Sequence, residues 1–502
     1  MAPLHRRDVA TCFIFKFPSD DTAKKPQVAL FRRSGKVNTY RHKYAGVSGS
    51  VEETDTSPLA TAWREIKEET TLTNDSLRLF RQGKPFSFVD ESLGREWIIN
   101  PFGFVLKPKK DGGQGEAGIK TDWEHQGYKW FDPDAVNDSD EFEGVPRIMK
   151  SLRRVWFNID LGEAAGNTLG EGLVALQTDH ESGARQLASK AILTYIDVIK
   201  KLDFTDRDRW WTNVRFAGWH LWKNGRESMG AAILNVVLSA LELIENVLPS
   251  DGLLTRSAID DTVRALNKYA QDRQDISLRT GAMFEAFLEE SFPGDGSLKI
   301  LTLSSSSTIS SAITQVLKTI SRPVQVRVLE SRPLFEGVKM ALSIASSANR
   351  DNNQPFLSLF TDASVCIAAK DVDILLLGAD LIDEAAAVSN KVGSLPAVLT
   401  TKHVAPKAKI VALAEKEKVL PFPHTCQEEN DPQEVTQAWG ELTSSLRNAS
   451  TSQVEVRNVY FEWVSSDLID HYITEDGFTG SEGIQKYAEA VRKKVDQYLT
   501  SL

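Results

Sequence analysis

SPLATAWREIKEETTL, residues 57–72, decides how the N-terminal part of this chain is read. Ser57 suits a helix N-cap, and Pro58 suits the first helical position, where a missing N–H costs nothing. Leu59, Ala62, Trp63 and Ile66 recur at helical spacing and define an apolar face. Glu65, Glu68 and Glu69 stand at i, i+3 and i+4, so they share another face. Three carboxylates so close repel one another unless a cation lies between them, and hard oxygen donors suit Mg²⁺ or Mn²⁺. The alternative for such a face is a solvated acidic surface.

Outward from this helix, apolar or alternating runs at 11–17, 27–31 and 96–106 predict strands, and 145–157 predicts an amphipathic closing helix. KPKKDGGQGEAG (107–118) is a polar loop. LGEAAGNTLGEG (161–172) is rich in glycine and small residues and is expected to lie in a linker, 158–178, after a first domain at 8–157. A length of 502 residues exceeds one ordinary core, so two or three domains are expected.

From 179 to 290 the pattern is helical: ARQLASKAILTYIDVIKKL (184–202) and MGAAILNVVLSALELIENVL (229–248) repeat apolar residues at three- and four-residue steps. From 291 to 502 short apolar strands, KILTL, VQVRVLE, PFLSLF, VDILLLG and KIVALAE, alternate with helices, the signature of a parallel sheet. The fold class expected is therefore α/β and α+β multidomain: an α/β/α sandwich, then a helical subdomain and a Rossmann-like parallel-sheet subdomain.

Composition narrows the function. Apolar residues make 41% and charged residues 25% of the chain, ordinary for a soluble globular protein. The net charge of −10 argues against nucleic acid as the main partner, since phosphate backbones require a basic face. Cys12, Cys366 and Cys426 form no CxxC pair, so neither a disulfide framework nor a zinc knuckle is expected, and a reducing compartment fits. The N-terminal apolar stretch is broken by Lys16 and Pro18 and reads as a strand rather than a signal peptide. No apolar run is expected to reach about 18 residues, so no membrane span is predicted and a cytoplasmic location is the default.

Residues 49–72 resemble the Nudix box. Arg64-Glu65-Ile66-Lys67-Glu68-Glu69 matches its core and Gly49 its opening glycine. The resemblance implies a Nudix α/β/α sandwich with Glu65, Glu68 and Glu69 holding the metal and Arg64 orienting them through ion pairs. The sequence departs from the box twice: its first glutamate falls on Asp55 (or Thr56 if the spacing is kept), and its late glycine is Thr71. WEHQGYKWFDPDAV (123–136) resembles the late Nudix segment; Glu124 there is a candidate metal ligand or general base, with a plain loop carboxylate as the alternative.

Three strand-ending motifs mark the second half. ILTLSSSSTISSAITQVL (300–317) runs from a strand through Ser304, Ser305, Ser306 and Ser307 into a helix, whose N-terminus suits phosphate. VRVLESRPLFEG (326–337) puts Arg332 after a strand, and DVDILLLGADLIDEAAAVSNKVGS (371–394) delivers Asp380, Asn390 and Lys391. All three can reach the carboxyl edge of a parallel sheet, where ligands bind. Helix caps and internal pairing are the bland alternative.

With TDHESGARQLASKA (178–191) and YFEWVSSDLIDHYITEDG (460–477), their order resembles the family uniting the alpha, beta and delta subunits of initiation factor 2B with ribose-1,5-bisphosphate and methylthioribose-1-phosphate isomerases. The resemblance implies that Asp380 is the aspartate of the isomerase pair and that Ser304 occupies its cysteine position, which puts isomerase chemistry in doubt. The expected activity is metal-dependent hydrolysis of a nucleoside diphosphate derivative or related phosphoanhydride. The second half would bind a nucleotide or sugar phosphate or mediate assembly. The alternatives are a sugar-phosphate isomerase and a non-enzymatic translation regulator. The expected partners are a second copy of the chain, paired through residues after about 300, and initiation factor 2 or 2B subunits.

Overall fold

The computed structural model describes residues 5–18, 25–179, 182–249, 252–348, 356–423, 429–443 and 454–502. Cys426 and residues 180–181 of the TDHESGARQLASKA motif lie outside them. The chain forms two compact units, one of 1–171, 197–224 and 502, the other of 172–196 and 225–501.

The first unit is built on eight strands: β1 (His5–Lys16), β2 (Gln27–Arg33), β3 (Tyr44–Ala45), β4 (Val47–Ser50), β5 (Leu77–Gln82), β6 (Phe86–Asp90), β7 (Arg95–Leu106) and β8 (His125–Phe131). The main order is β3-β2-β1-β7-β5, with β4 on β1, β6 on β7 and β8 on β2. β1 and β7 run parallel from His5↔Arg95 to Phe15↔Val105. Both faces of the sheet are covered, which is why β1 reads as an almost unbroken apolar run. Ala10, Cys12 and Ile14 meet Ala62 and Ile66 of the carboxylate helix (Pro58–Thr70) on one face. Phe13 and Phe15 meet Ile148, Leu152, Val155 and Trp156 on the other.

The carboxylate helix starts as expected, with Ser57 Oγ accepting from the Ala60 N–H and Pro58 in the first turn. It ends on Thr71 at φ +62, the left-handed conformation in which glycine is favoured.

Two local expectations are corrected. The closing helix expected over 145–157 is only Ile148–Leu152, because Arg147 enters it with φ +64 and the chain turns again to bury Val155, Trp156 and Phe157. The expected linker is helical, Asn158–Leu161 followed by Glu163–Thr178. Its glycines serve close packing: a Cβ on Gly166 would lie 2.7 Å from the Asn158 side chain, and one on Gly172 would lie 2.2 Å from that of Thr194.

A third difference concerns the helix Arg207–Asn224, which by its place in the sequence belongs to the expected helical subdomain but sits in the first unit. Its His220 stacks edge-on against Phe157 at 4.8 Å. Asn224 closes the free edge of β5: its Oδ1 accepts from the Gln82 N–H at 2.6 Å, and its Nδ2 donates to the Gln82 carbonyl at 2.9 Å. One side chain thus imitates a neighbouring strand at a point where an unpaired edge would be exposed.

In the second unit, β9 (Leu298–Thr302), β10 (Val324–Leu329), β11 (Phe356–Phe360), β12 (Ile374–Leu377), β15 (Lys409–Leu413) and β17 (His471–Thr474) form a parallel sheet in the order β11-β10-β9-β12-β15-β17, closed by antiparallel β18 (Gly477–Thr479). A small antiparallel sheet, β13 (Leu381–Ile382), β14 (Val388–Lys391) and β16 (Phe461–Val464), stands at the end of β12.

The helix Gly230–Val247 corrects the expectation about apolar runs. It is long and apolar enough to cross a membrane, and 67% of that stretch is buried inside the protein. Its Asn235 donates to the carbonyls of Glu417 and Val419 at 2.9 and 2.8 Å, as a core helix of a folded unit does.

Candidate functional site

In the first unit, Arg64 gathers the acidic face. Its guanidinium pairs with Asp55 at 2.8 Å, Glu65 at 2.6 Å and Glu68 at 3.5 Å, and donates to the Ser50 carbonyl at 3.1 Å. Asp55 also accepts from the Thr61 hydroxyl and the Glu52 N–H, and Arg64 holds its carboxyl well below the usual carboxylate range. The residue at the first-glutamate position of the box therefore anchors Arg64.

Glu68 points outward, with 59% of its side chain exposed, whereas Glu65 is largely covered at 13% exposed and Glu69 is buried at 4%. Burial pushes Glu65 up to about 7, with the charge of Glu69 adding to it and Arg64 opposing it. Burial also pushes Glu69 up to about 8, reinforced by Glu124 and Asp122. Glu69 meets the Nε2 of buried His125, whose own pKa burial lowers to about 4. Burial thus favours the uncharged form of both members of this pair. His125 was missed in the sequence, where it is one histidine beside the more conspicuous Glu124.

The donor set fits a divalent cation: oxygen ligands, more buried carboxylate than nearby cation, and a gap at Gly49, where a Cβ would lie 1.9 Å from the Glu65 carboxyl. Among the described residues no three acidic, His or Cys side chains already form a closed cage.

Beside this helix, on the opposite face of β1, lies a cavity of about 390 Å³. Ser48, Gly49 and Ser50 form the wall shared with the carboxylates: the Ser48 N–H bonds to Glu69, Gly49 touches Glu65, and Ser50 O accepts from Arg64. Glu124 lines the same cavity, as do the aromatic rings of Phe88, Trp97 and Trp123.

The second unit holds a smaller cavity, about 150 Å³, at the carboxyl ends of β9 and β12. Ser304, Ser305, Ser306, Ser307, Asp380 and Asn390 all line it. Ser306 caps the helix Ser307–Thr319 by accepting from the Ile309 N–H.

Two expected members lie elsewhere. Lys391 follows Asn390 on β14 and therefore points to the opposite face; it is buried, pairs with Glu336 at 2.9 Å and covers the Tyr460 ring at 4.1 Å. Arg332 donates to the Val435 carbonyl at 3.0 Å. Ser331, at φ +61, turns the chain so that its own hydroxyl, not Arg332, accepts from the Ser304 N–H at 2.7 Å.

Two cations line the cavity, Arg185 and Lys418, neither expected there, and of the two Lys418 is buried. It pairs with buried Glu415 at 3.1 Å. Burial disfavours the Lys418 charge, but Glu415 and Asp380 outweigh it and its pKa is raised. Burial would raise Glu415, yet Lys418 and the Thr308 hydroxyl, at 2.5 Å, bring it down to about 2. Asp380 is pushed up by burial against the pull of Lys418 and Lys391.

A family model described as the NUDIX domain matches residues 6–152, and one described as the initiation factor 2 subunit family matches residues 180–481. No curated protein matches the chain. Among solved structures, translation initiation factor eIF-2B of Pyrococcus horikoshii OT3 is similar at 19% identity and TM-score 0.44, over 62% of this chain and 96% of that one. The eIF2B beta of Chaetomium thermophilum is similar at 13% and 0.48, over 68% and 97%. The 5-methylthioribose 1-phosphate isomerase of Pyrococcus horikoshii OT3 is similar at 16% and 0.46, over 65% and 87%. The chain belongs to the initiation factor 2 subunit family and carries a NUDIX domain ahead of that family's domain.

Proposed function

We propose that the first unit hydrolyses a phosphoanhydride in a nucleoside diphosphate derivative, with Glu65, Glu68 and Glu69 holding Mg²⁺ or Mn²⁺. The observation that carries this reading is the shared wall Ser48-Gly49-Ser50, which joins an aromatic-lined cavity to buried carboxylates of raised pKa. When bound, the metal supplies charge neutralisation and a more acidic water. Arg64 fixes the direction of Glu65, Asp55 fixes Arg64, and His125 fixes Glu69. Glu124, on the cavity wall, is placed to take a proton from an attacking water.

Product release from a panel of nucleoside diphosphate derivatives, run with wild type and Glu68→Gln side by side, tests the reading. Turnover with Mg²⁺ or Mn²⁺ that falls by about a hundredfold or more in the variant supports it. A folded wild type that cleaves nothing, or a fully active variant, removes it.

For the second unit we propose binding, without isomerisation, of a phosphorylated metabolite at the Asp380–Lys418 cavity. Serine at 304 offers no thiolate, and its N–H is already taken by Ser331. Ribose-1,5-bisphosphate should therefore yield no ribulose-1,5-bisphosphate. Pairing of two copies through residues after about 300, and association with initiation factor 2 or 2B subunits, belong to the same reading. Sedimentation of the full chain as a monomer at micromolar concentration would remove the first of these.

A further inference from the structure

The 390 Å³ cavity of the first unit has more positive charge than a diphosphate needs. Arg7, Arg33, Lys36 and Arg95 all line it, and none of them makes an ion pair among the described residues. Arg32 and Arg64, by contrast, are paired with carboxylates.

The four are not equivalent. Arg7 donates to Ser50 Oγ at 2.9 Å, and the charge of Arg33 acts on Glu69 and His125, so both belong to the carboxylate end. Arg95 belongs to the other end. β1 pairs Val9 with Ser50, and it pairs His5 with Arg95. Those levels are four residues apart, about 13 Å at the usual strand rise. Between them stand Trp97, which is paired with Phe88 across β6 and β7, and Ile99. The Arg95 guanidinium lies 5.4 Å from the Trp97 ring. Asp90, its cross-strand neighbour, accepts from the Tyr40 hydroxyl at 2.6 Å and from Ser92, so it is committed elsewhere.

We propose that the compound bound in this cavity carries a second phosphoryl group, remote from the scissile anhydride. Arg95 receives that group while Phe88 and Trp97 hold an aromatic base between the two anionic ends. A guanidinium over an indole, with no carboxylate partner and open to the cavity, offers its remaining N–H groups to phosphate oxygens. The inference relies on the hydrolase reading only for where the anhydride sits.

The test is therefore a binding measurement without catalysis. The full chain is titrated by calorimetry in EDTA, and Arg95→Gln, which leaves the residues of the second cavity unchanged, assigns the binding to this one. The ligands are AMP, adenosine 2′,5′-bisphosphate and adenosine 3′,5′-bisphosphate. At least one bisphosphate should bind about tenfold more tightly than AMP, and Arg95→Gln should bring the ratio close to one. Which isomer gains tells where the extra phosphate sits on the ribose.

Equal affinities, no binding of any of the three, or a ratio untouched by Arg95→Gln overturns the proposal. Discrimination without hydrolysis of any anhydride would leave it standing and remove the hydrolase reading. Hydrolysis without discrimination would do the reverse.

Discussion

The two cavities treat buried charge in opposite ways. In the first unit Glu65 and Glu69 are buried among further carboxylates, and their pKa values rise to about 7 and about 8. In the second unit the buried charges are matched within the protein: Glu415 with Lys418, Lys391 with Glu336, and Arg273 with Glu417 at 2.6 Å. The first arrangement stores repulsion that a cation can relieve, so its electrostatics change when the cation arrives. The second matches these charges pair by pair, leaves Asp380 facing the cavity, and offers a ligand a fixed frame of donors and acceptors. A catalytic site benefits from the first property and a sensing site from the second.

The largest effect should come from breaking a matched pair. Arg273 and Glu417 are 3% and 8% exposed, so Arg273→Met leaves a buried carboxylate alone and should cost the second unit about 3–5 kcal/mol in denaturant unfolding. Arg273→Met with Glu417→Met should recover most of that loss. If the double variant is as unstable as the single one, the two charges do not balance each other.

Next is the pH response of the first unit without metal. Folded Glu65 and Glu69 hold protons more tightly than the unfolded chain does. The stability they contribute is complete below their ordinary value of 4.5 and is lost as pH rises through about 7 and about 8. His125, lowered from 6.5 to about 4, works the other way and removes stability as pH falls through that window. Thermal melts in EDTA should therefore show a maximum at about pH 4.5, where the single histidine is outweighed by the two carboxyls, and a decline up to about pH 8. Glu69→Gln should flatten that decline, and Mg²⁺ should reverse it. A flat wild-type profile would erase the contrast between the units.

A smaller effect is expected from Lys418→Ala combined with Glu415→Ala, so that no buried charge is left alone, which should weaken ribose-phosphate binding by about tenfold, since one charge-assisted contact is removed. Lys391→Ala should have less effect on affinity, because Lys391 faces away from the cavity.

The smallest concerns Thr71. Replacing a β-branched residue at φ +62 by glycine relieves strain but gives up the hydroxyl bond to the Gly118 carbonyl at 3.2 Å. Thr71→Gly should stabilise the first unit by less than about 1 kcal/mol, readable as a slight rise in melting temperature.

Much of this was legible in the sequence, and the gaps have physical causes. Ser57, Pro58 and the apolar spacing of Ala62 and Ile66 defined the carboxylate helix, because capping and periodicity are local. The strands ending at Ser304 and Asp380 led to one cavity, because parallel sheets gather such ends on one edge. Arg332 and Lys391 went astray on single-residue detail: a left-handed turn at Ser331, and the alternation that turns Lys391 away from Asn390. His125 and Lys418 gave no local signal, since each matters only through a carboxylate 56 residues away or 3 residues away in a buried turn. The helix Arg207–Asn224 had clear periodicity, but periodicity does not say which core a helix will join.

That last helix sets a schedule for biosynthesis. The edge of β5 is capped by Asn224, which lies a further 67 residues beyond the expected end of the first domain, residue 157. At roughly 5–20 residues per second, the nascent chain carries an uncapped edge strand for roughly 3–13 s after the rest of its NUDIX domain has been translated. Anything that shields an open strand edge during that interval, a chaperone or a pause in elongation, would govern how much of this protein reaches its native form.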